Sequence, residues 1–464
     1  MPATDAQPAA RQLVEWARSL KLSDIDPAVL ERIKLHTLDQ IGAQVSCRNL
    51  PTCRLTQDYV ARFGVAGKSS ILGTGLRVDA EFAGFANGTA GSAFEIDDYG
   101  GKGASSHPGC TVVPGAFAVG EAAGASGADV LRALTVGFET IIRLALASMP
   151  SLLLERGFHH TSALGVFGVA IESAMIEGDS TEIGVNALAI AGSHASGTTE
   201  YAKSGGEVKR VHAGIGVAGG IRSARLARLG LSGPPTIFEG SRGFLQAFCN
   251  GFDPAPLTYR LGSQWNFAEC ASIKLYACCA LMQPHFAAYD KLKADHRFAM
   301  EDVESVVMGC DPLTYVHTGG IGPRPKDVLG AQFSSEYGIA MRIVKGGNDV
   351  GHYLDLDAVK FQDPAVVAMA ERVKLERDPD CTLEKPLGRV TLRLRDGRTL
   401  SDASFAPGSP ENPVGPEDIK RKYHALVARD FGDALAERSM EMIMNLENVP
   451  NLGEITGLFE PQKS

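Results

Sequence analysis

The sequence predicts a mostly α-helical protein in which a smaller α+β unit is inserted into a large all-helical domain. Apolar residues recur with helical spacing up to about residue 266, alternating strand-like segments follow, and helical spacing returns from residue 415. Helical segments at both chain ends around a strand-bearing middle favour one helical body with an insertion. We therefore predict a helical domain over residues 1–267 and 406–464, and an α+β domain over residues 268–405.

Start and stop signals bound the individual helices. Residues 10–20 and 27–47 form two predicted helices, and Pro27 suits the first turn of the second one. A short helix over 56–65 precedes an extended, turn-rich segment over 69–79. Three longer helices are predicted around 127–148, 162–178 and 181–197, each bounded by Gly, Pro or a Ser/Thr/Asp cap. Val112 to Glu121 shows a further helical pattern, which we expect Pro114 to open.

The middle of the chain contains both helical and strand-like spacing of apolar residues. Residues 274–292 predict a helix, and residues 303–316 predict a strand. Residues 388–404 alternate around Asp396-Gly397, which is a strong signal for a two-strand hairpin. Residues 415–450 again predict helices.

Charge and composition exclude several classes of protein. The net charge is -9 and no Lys/Arg block occurs, which argues against a nucleic-acid surface. Neither a signal-peptide pattern nor a run of eighteen apolar residues is present, so we expect a cytoplasmic protein with no membrane contact. The nine cysteines include no C-x-x-C pair and are expected to be free thiols.

One stretch, from Phe85 to Glu121, concentrates chemistry. Small residues precede four polar ones at 95, 97, 98 and 99, and a glycine-rich loop then ends at His107-Pro108. Acids and a titratable ring beside small residues predict a pocket wall. The alternatives are a solvated helix cap followed by a turn, or an Asp/His metal site using Asp97, Asp98 and His107, although no H-x-H or H-x-x-x-H spacing supports a metal.

Three short segments supply further candidates. Gly157 to Thr161 places two histidines before a helix, Glu207 to His212 sets cations beside a histidine, and Ser272 to Tyr276 contains a lysine. Lysines suit carboxylate binding and histidines suit proton transfer, so together they favour proton abstraction next to a carboxylate. Taken singly, each segment is equally typical of a surface charge or a capped turn.

A glycine pattern at Gly214, Gly216 and Gly219 matches G-x-G-x-x-G, the motif of a dinucleotide-binding turn. No apolar strand precedes it, and the residues after it form a helical pattern with a small face. We therefore interpret these glycines as packing residues in a helix.

The motifs occur in a familiar order: NGTAGSAFEIDDY, HPGCTVVPGAFAVGE, GFETIIR, GFHHTSALGVFGVA, KRVHAG and KLYACC. This order resembles the MmgE/PrpD family over nearly the whole chain. That family includes 2-methylcitrate dehydratase, cis-aconitate decarboxylase and iminodisuccinate epimerase, which act on small carboxylates without a cofactor. The resemblance implies a large helical domain, a smaller α+β lid domain, a homodimer, and neither cofactor nor metal.

The resemblance also carries site residues. The family's site acids match Glu95, Asp97 and Asp98, its His-Pro matches His107, and its GFHxT histidine matches His159. Its two lysines match Lys209 and Lys274. The chain departs from the family pattern at four positions: Glu95, Tyr99, Ala280 and Gln283.

These departures favour a small dicarboxylate over a tricarboxylate. The leading hypothesis is an isomerase of the iminodisuccinate epimerase type, in which two groups among His107, His159 and Tyr99 remove and return a proton while Lys209 and Lys274 hold carboxylates. We expect the remaining substrate contacts from six residues: Glu95, Asp97, Asp98, His160, Tyr276 and Gln283. The alternatives are a lyase of the same family, a 2-methylcitrate dehydratase or cis-aconitate decarboxylase, and an inactive binding or scaffold protein.

Overall fold

The computed structural model describes residues 7–201, 206–382, 384–409 and 411–460. The chain forms two compact units. The first unit contains the residues up to Ala93, Asp97–Ala271, and the residues from Gly415 onward; the second contains Phe94–Ile96 and Ser272–Val414. Both ends of the chain therefore build the first unit, and the second is an insertion with a short upstream segment.

Helices make up most of the first unit. The N-terminal helices are α1 (Ala9–Ser19), α2 (Pro27–Cys47), α3 (Pro51–Phe63), α4 (Ala80–Ser92), α5 (Gly109–Ala123) and α6 (Gly127–Ser148). The helices that follow are α7 (His160–Ile176), α8 (Thr181–Ala191), α9 (His212–Arg228), α10 (Phe244–Phe248) and α11 (Asn266–Cys270). The C-terminal segment adds α18 (Pro416–Phe431), α19 (Asp433–Met444) and α20 (Gly453–Thr456).

The predicted caps explain where these helices begin. Asp26 Oδ1 accepts a hydrogen bond from Ala28 N at 2.8 Å, and Pro27 occupies the first turn of α2. Ser126 caps α6 in the same way. Helix α5 differs from prediction: it begins at Gly109, so Pro114 lies inside it rather than at its start.

A small hairpin interrupts the helical body of the first unit. Strands β1 (Ala66–Ile71) and β2 (Leu76–Val78) pair antiparallel, with Ile71 opposite Leu76. The extended segment predicted over 69–79 is thus confirmed, and the short hairpin is a small part of the mostly α-helical fold that the sequence predicts.

The glycine pattern near residue 214 serves packing. Gly214 is in α9, and a Cβ atom there would lie only 2.3 Å from the carbonyl oxygen of Phe85 in α4. Helices α4 and α9 can therefore approach only because this residue has no side chain. The prediction that these glycines pack a helix is confirmed.

Helix α7 lies at the centre of the first unit, where it packs against α5, α6, α8 and α9. Its apolar side chains, such as Leu164 and Phe167, are completely buried. The N-terminal end of this buried helix carries His159 and His160, so the core holds both histidines in place.

The second unit combines short helices with a four-stranded sheet in the order β6-β5-β7-β8. The strands of this sheet are β5 (Val303–Cys310), β6 (Val373–Arg377), β7 (Gly388–Leu394) and β8 (Thr399–Ser404). Two short strands lie outside this sheet: β3 (Asp98–Gly100) in the first unit, and β4 (Ala271–Ile273) where the chain passes from the first unit to the second. The helices are α12 (Gln283–Asp295), α13 (Pro312–Thr318), α14 (Val328–Phe333), α15 (Ser335–Lys345), α16 (Val350–Ala358) and α17 (Pro364–Ala370). Strands β7 and β8 form the predicted hairpin, with Leu392 opposite Leu400.

Two predictions in this unit were wrong in extent. The helix expected over 274–292 begins only at Gln283, because the backbone N–H groups of Ala277 and Cys279 bond Asn348 O at 2.8 Å and Gln332 O at 2.9 Å. The strand expected over 303–316 ends at Cys310, where Asp311 caps helix α13.

All nine cysteines are buried and none forms a disulfide bond, which confirms the prediction that they are thiols. Over the described residues, no helix combines the length and apolar character needed to cross a bilayer.

Candidate active site

Asp98 connects three parts of the first unit. Its Oδ2 atom lies 2.9 Å from His36 Nδ1, and its Oδ1 accepts a hydrogen bond from Gly109 N at 2.9 Å. Burial, followed by the charge of Arg32, lowers the pKa of His36 to about 3, so this ring is neutral and donates through Nδ1. Asp98 therefore holds the start of α5, next to the predicted His107, in a fixed position.

His107 is oriented through one ring nitrogen. Its Nδ1 lies 2.7 Å from the main-chain oxygen of Asp98 and 3.2 Å from Oδ2 of Asp97. Both neighbours only accept hydrogen bonds, so Nδ1 carries a proton, and in the neutral ring the lone pair is therefore on Nε2. The side chain retains 14% exposure. This arrangement makes Nε2 of His107 a base that is held in one orientation.

Four histidines meet beside the start of α7, and we call them the histidine cluster: His107, His159, His160 and His212. Ring centroids lie 5.1 Å apart for His107 and His160, and 5.0 Å apart for both His159–His160 and His159–His212. His159 N also donates to Gly197 O at 2.9 Å, which anchors the loop before the helix. The structure thus brings together histidines that are up to 105 positions apart in the sequence (212 − 107).

The cluster disfavours protonation of its inner members. Burial lowers the pKa of His159 well below its ordinary value, and the neighbouring His160, Lys209, His212 and His107 lower it further. Burial and the charge of Lys209 lower the pKa of His212 to about 4. Both rings are consequently neutral at pH 7.

Lys209 is buried in a short 3₁₀ turn, Val208–Val211, that leads into α9. Its effect on His159 and His212 places its ammonium group within electrostatic reach of both rings. Tyr99, the third predicted acid/base group, lies half-buried in β3. The first unit therefore contains a cation, two acids and four histidines in one region.

A separate polar pair lies within the second unit. Lys274 is completely buried, and its Nζ lies 3.2 Å from Oε2 of Glu95. Glu95 has a left-handed backbone with φ of 57°, a conformation that costs a residue with a side chain about 1–2 kcal/mol. The ion pair with Lys274 gives a reason for keeping a carboxylate at a position that would suit glycine.

Two further predicted residues shape the turn that follows Lys274. The Gln283 amide donates to Tyr276 O at 2.7 Å and accepts from Tyr276 N at 3.3 Å. The Tyr276 hydroxyl donates to Oδ2 of Asp290 at 2.8 Å. These hydrogen bonds occupy the polar groups of both side chains within the second unit.

Sequence reasoning missed His36 and His212 as parts of the site. His212 was present in the quoted KRVHAG segment, but nothing in the sequence indicated that it contacts His159. His36 lies in the middle of a helix, where only its pairing with Asp98 distinguishes it. Among the residues that the structure describes, no set of three or more His, Cys, Asp or Glu side chains has a geometry suited to a metal ion.

The chain is similar to known proteins over nearly its full length. Residues 11–257 match the MmgE/PrpD N-terminal domain, and residues 276–448 match the MmgE/PrpD C-terminal domain. A cis-aconitate decarboxylase-like protein of Aspergillus oryzae is 27% identical, and the match covers 99% of each chain. The cis-aconitate decarboxylases of Aspergillus terreus and Homo sapiens are 27% and 25% identical; these matches cover 97% and 95% of this chain, and 94% and 92% of the relatives.

Proposed function

Because the chain belongs to the MmgE/PrpD family, whose members are enzymes, we propose that it transfers a proton at a carbon atom next to a carboxylate in a small polycarboxylate substrate. One observation carries the proposal: His107 is held through Nδ1 by Asp97 and Asp98, which leaves Nε2 for the reacting proton. No cofactor is part of the proposed reaction.

The surroundings of His107 suit a group that both takes and gives a proton. When Nε2 gains a proton, the positive ring remains hydrogen-bonded to the Asp98 carbonyl and lies beside the Asp97 carboxylate, which stabilises it. His159 and Lys209 lie in the same region, and Lys209 supplies a positive charge suited to a substrate carboxylate.

The leading candidate reaction is the decarboxylation of a cis-aconitate-like substrate. The named relatives support it because they match the chain over nearly its whole length. In such a reaction the bond between a carboxylate and its neighbouring carbon breaks, carbon dioxide leaves, and the electron pair stays on the carbon skeleton. His107 in its protonated form would deliver the proton that completes the product.

The second candidate is the epimerisation of a dicarboxylate such as iminodisuccinate. Here a base removes the proton next to the carboxylate, the electron pair moves into that carboxylate, and an acid returns a proton to the opposite face. The amide of Gln283 favours this candidate, because it is neutral and already bonded to the backbone at residue 276. A substrate with fewer carboxylates needs fewer cations.

Proton NMR in deuterium oxide tests both candidates. The purified protein is incubated separately with cis-aconitate, 2-methylcitrate, citrate and single enantiomers of iminodisuccinate. A new vinyl resonance and carbon dioxide from cis-aconitate would establish the decarboxylase. A change of the 2-methylcitrate methyl resonance from a doublet to a singlet, without carbon dioxide, would establish a dehydratase, because the carbon that bears the methyl group loses its proton when the double bond forms. Deuterium at the α carbon of iminodisuccinate with loss of optical activity would establish the epimerase. Binding without turnover of any of these compounds would indicate the scaffold protein and contradict the proposal.

We propose that Lys274 binds a carboxylate, as the sequence predicts. Its ammonium group is already paired with Glu95, so a substrate carboxylate would add to an existing ion pair. We expect Lys274→Met to raise KM more than it lowers kcat, whereas Lys274→Arg keeps the charge and recovers part of the binding.

We also propose that the protein is a homodimer. Helix α3 has an apolar face at four-residue spacing, where Leu55 and Phe63 are 62% and 67% exposed and the Tyr59 ring packs near Phe85. An apolar face of this kind is typical of a protein–protein contact. Light scattering should give twice the mass of one chain, and Leu55→Glu combined with Phe63→Glu should give one chain mass.

A further inference from the structure

The contact between His159 and His212 is unusual because it joins the same atom of two histidines. The Nδ1 atoms lie 2.9 Å apart, and both residues are only 3% exposed. The Tyr201 ring packs edge-on against both, with centroids 5.6 Å from His159 and 5.9 Å from His212. The two rings are thus fixed in place from several sides.

Two arrangements of protons satisfy this contact while both rings are neutral, and in each of them one ring donates through Nδ1 and the other accepts. A hydrogen bond between two Nδ1 atoms needs one nitrogen with a proton and one with a lone pair. A neutral imidazole carries its single proton on one nitrogen, so the two rings must be opposite tautomers. The proton on Nε2 of His159 is therefore determined by the state of His212.

The surroundings keep both rings neutral. His159 is the N-cap of α7, and His212 is the first residue of α9, so each lies at the positive end of a helix. The groups acting on His159 are His160, Lys209, His212 and His107, and Lys209 also acts on His212. None of these is an acid, in contrast to the Asp97 carboxylate beside His107.

We propose that His212 is a positioning residue, which keeps His159 in the tautomer opposite to its own and thereby decides whether His159 Nε2 donates or accepts a hydrogen bond. The oxygen Oγ1 of Thr161 lies 3.3 Å from that Nε2, and a hydroxyl group suits either tautomer. We call the requirement that His159 and His212 be opposite tautomers the tautomer lock. The catalytic part of this inference rests on the proposed function, whereas the tautomer lock does not.

The tautomer lock is tested without substrate by nitrogen NMR of the full-length protein with ¹⁵N-labelled histidine at pH 7. His159→Gln and His212→Gln assign the two rings. We expect one ring protonated on Nδ1 and the other on Nε2, and we expect His212→Phe to change the nitrogen shifts of His159. Identical tautomers, or unchanged His159 shifts in His212→Phe, would overturn the inference.

The kinetic consequence is tested with whichever carboxylate the wild type turns over. We expect His212→Phe to lower kcat by about 10²-fold with little change in KM, as for other residues that orient a catalytic histidine. His212→Asn, whose amide can replace Nδ1, should recover part of kcat, and the pH profile of kcat should differ between the two variants. His194→Phe, a half-buried histidine outside the cluster, is the matched control and should keep wild-type kcat.

The outcomes separate the two proposals. Opposite tautomers in a protein that turns over none of the carboxylates would leave the lock standing and contradict the proposed function. A wild-type kcat in His212→Phe, or a change confined to KM, would instead overturn the positioning role of His212 while leaving the proposed function intact.

Discussion

Two buried polar clusters in the first unit have opposite designs. In one, Glu139 and Arg143 of α6 form an ion pair at 2.7 Å. Arg143 donates further hydrogen bonds to the carbonyl oxygens of residues 256, 259 and 264, and Glu139 accepts from the backbone of Asn266 and Phe267. In the other, the histidine cluster, His107 is held through one nitrogen while the second keeps its lone pair.

The difference separates a structural cluster from the cluster that we propose to be catalytic. The polar atoms of Glu139 and Arg143 bond each other and the backbone of the segment 256–267, which they hold against α6. These side chains therefore have no hydrogen-bonding group available for a substrate. In the histidine cluster, the hydrogen bonds of His107 orient its ring through Nδ1. Burial alone therefore does not identify a candidate site. The feature that points to one is Nε2 of His107, the ring nitrogen that remains available to a substrate. GFETIIR, which helped to indicate the family, belongs to the structural cluster.

The largest expected effect is on turnover. His107→Asn should lower kcat by about 10²–10⁴-fold, because the amide keeps a hydrogen-bond donor toward Asp98 but cannot carry the reacting proton. The melting temperature should stay close to that of the wild type, since few apolar contacts change. Steady-state kinetics and thermal unfolding of the same preparation check both halves. A near-normal kcat would remove His107 from the mechanism.

The structural cluster should respond in the opposite way. Arg143→Met removes one partner of a completely buried ion pair and should cost about 3–5 kcal/mol of stability, while kcat per folded molecule remains unchanged. Arg225→Met breaks a half-exposed pair with Asp79 and should cost no more than about 1 kcal/mol. Urea unfolding measures both. Equal losses in the two variants would show that burial does not distinguish these ion pairs.

Another buried acid, Glu172 in α7, extends the comparison because it has no cation within ion-pair distance among the described residues. Glycines 115 and 137 make room for it, since a Cβ at either would lie 2.5 Å from a carboxyl oxygen. Burial raises its pKa well above the ordinary value, so the folded state keeps a proton that the unfolded state loses as pH rises above about 4.5. The contribution of Glu172 to wild-type stability should therefore fall with rising pH, by up to about 1.4 kcal/mol per pH unit.

Glu172→Gln should remove this loss, because an amide imitates the protonated carboxyl group. The variant should be more stable than the wild type at pH 8, and the advantage should shrink toward pH 5. Glu437→Gln, at an exposed position, is the control and should show no such pH dependence. A variant less stable than the wild type at pH 8 would mean that Glu172 is ionised in the fold.

The smallest effect concerns His36, the histidine that orients Asp98. The pKa of His36 is about 3 in the folded state and near 6.5 in the unfolded state. Between these two values the unfolded state binds a proton on this ring and the folded state does not. Stability should consequently fall as pH falls from 6.5, by about 2 kcal/mol for this one ring at pH 5. Urea unfolding at pH 7 and pH 5 should show a smaller loss in His36→Asn, and an equal loss would contradict the neutral ring.

Much of the fold follows from local sequence. Asp26 with Pro27, Ser126 and the Asp396-Gly397 turn act within a few residues of themselves, so the helix starts and the hairpin were predictable. The helix predicted over 274–292 begins later than expected, because backbone N–H groups in its predicted first turns donate hydrogen bonds to the carbonyl oxygens of residues 332 and 348. No local pattern contains such distant partners.

The candidate site divides in the same way. The sequence by itself determined which groups are available, since the order of the motifs singled out His107, His159 and Lys209 before any geometry was known. Only the tertiary structure decided what each group does. It paired His36 with Asp98 across 62 positions and His159 with His212 across 53 positions, and tautomers and pKa values depend on such partners in space rather than on neighbours in the chain.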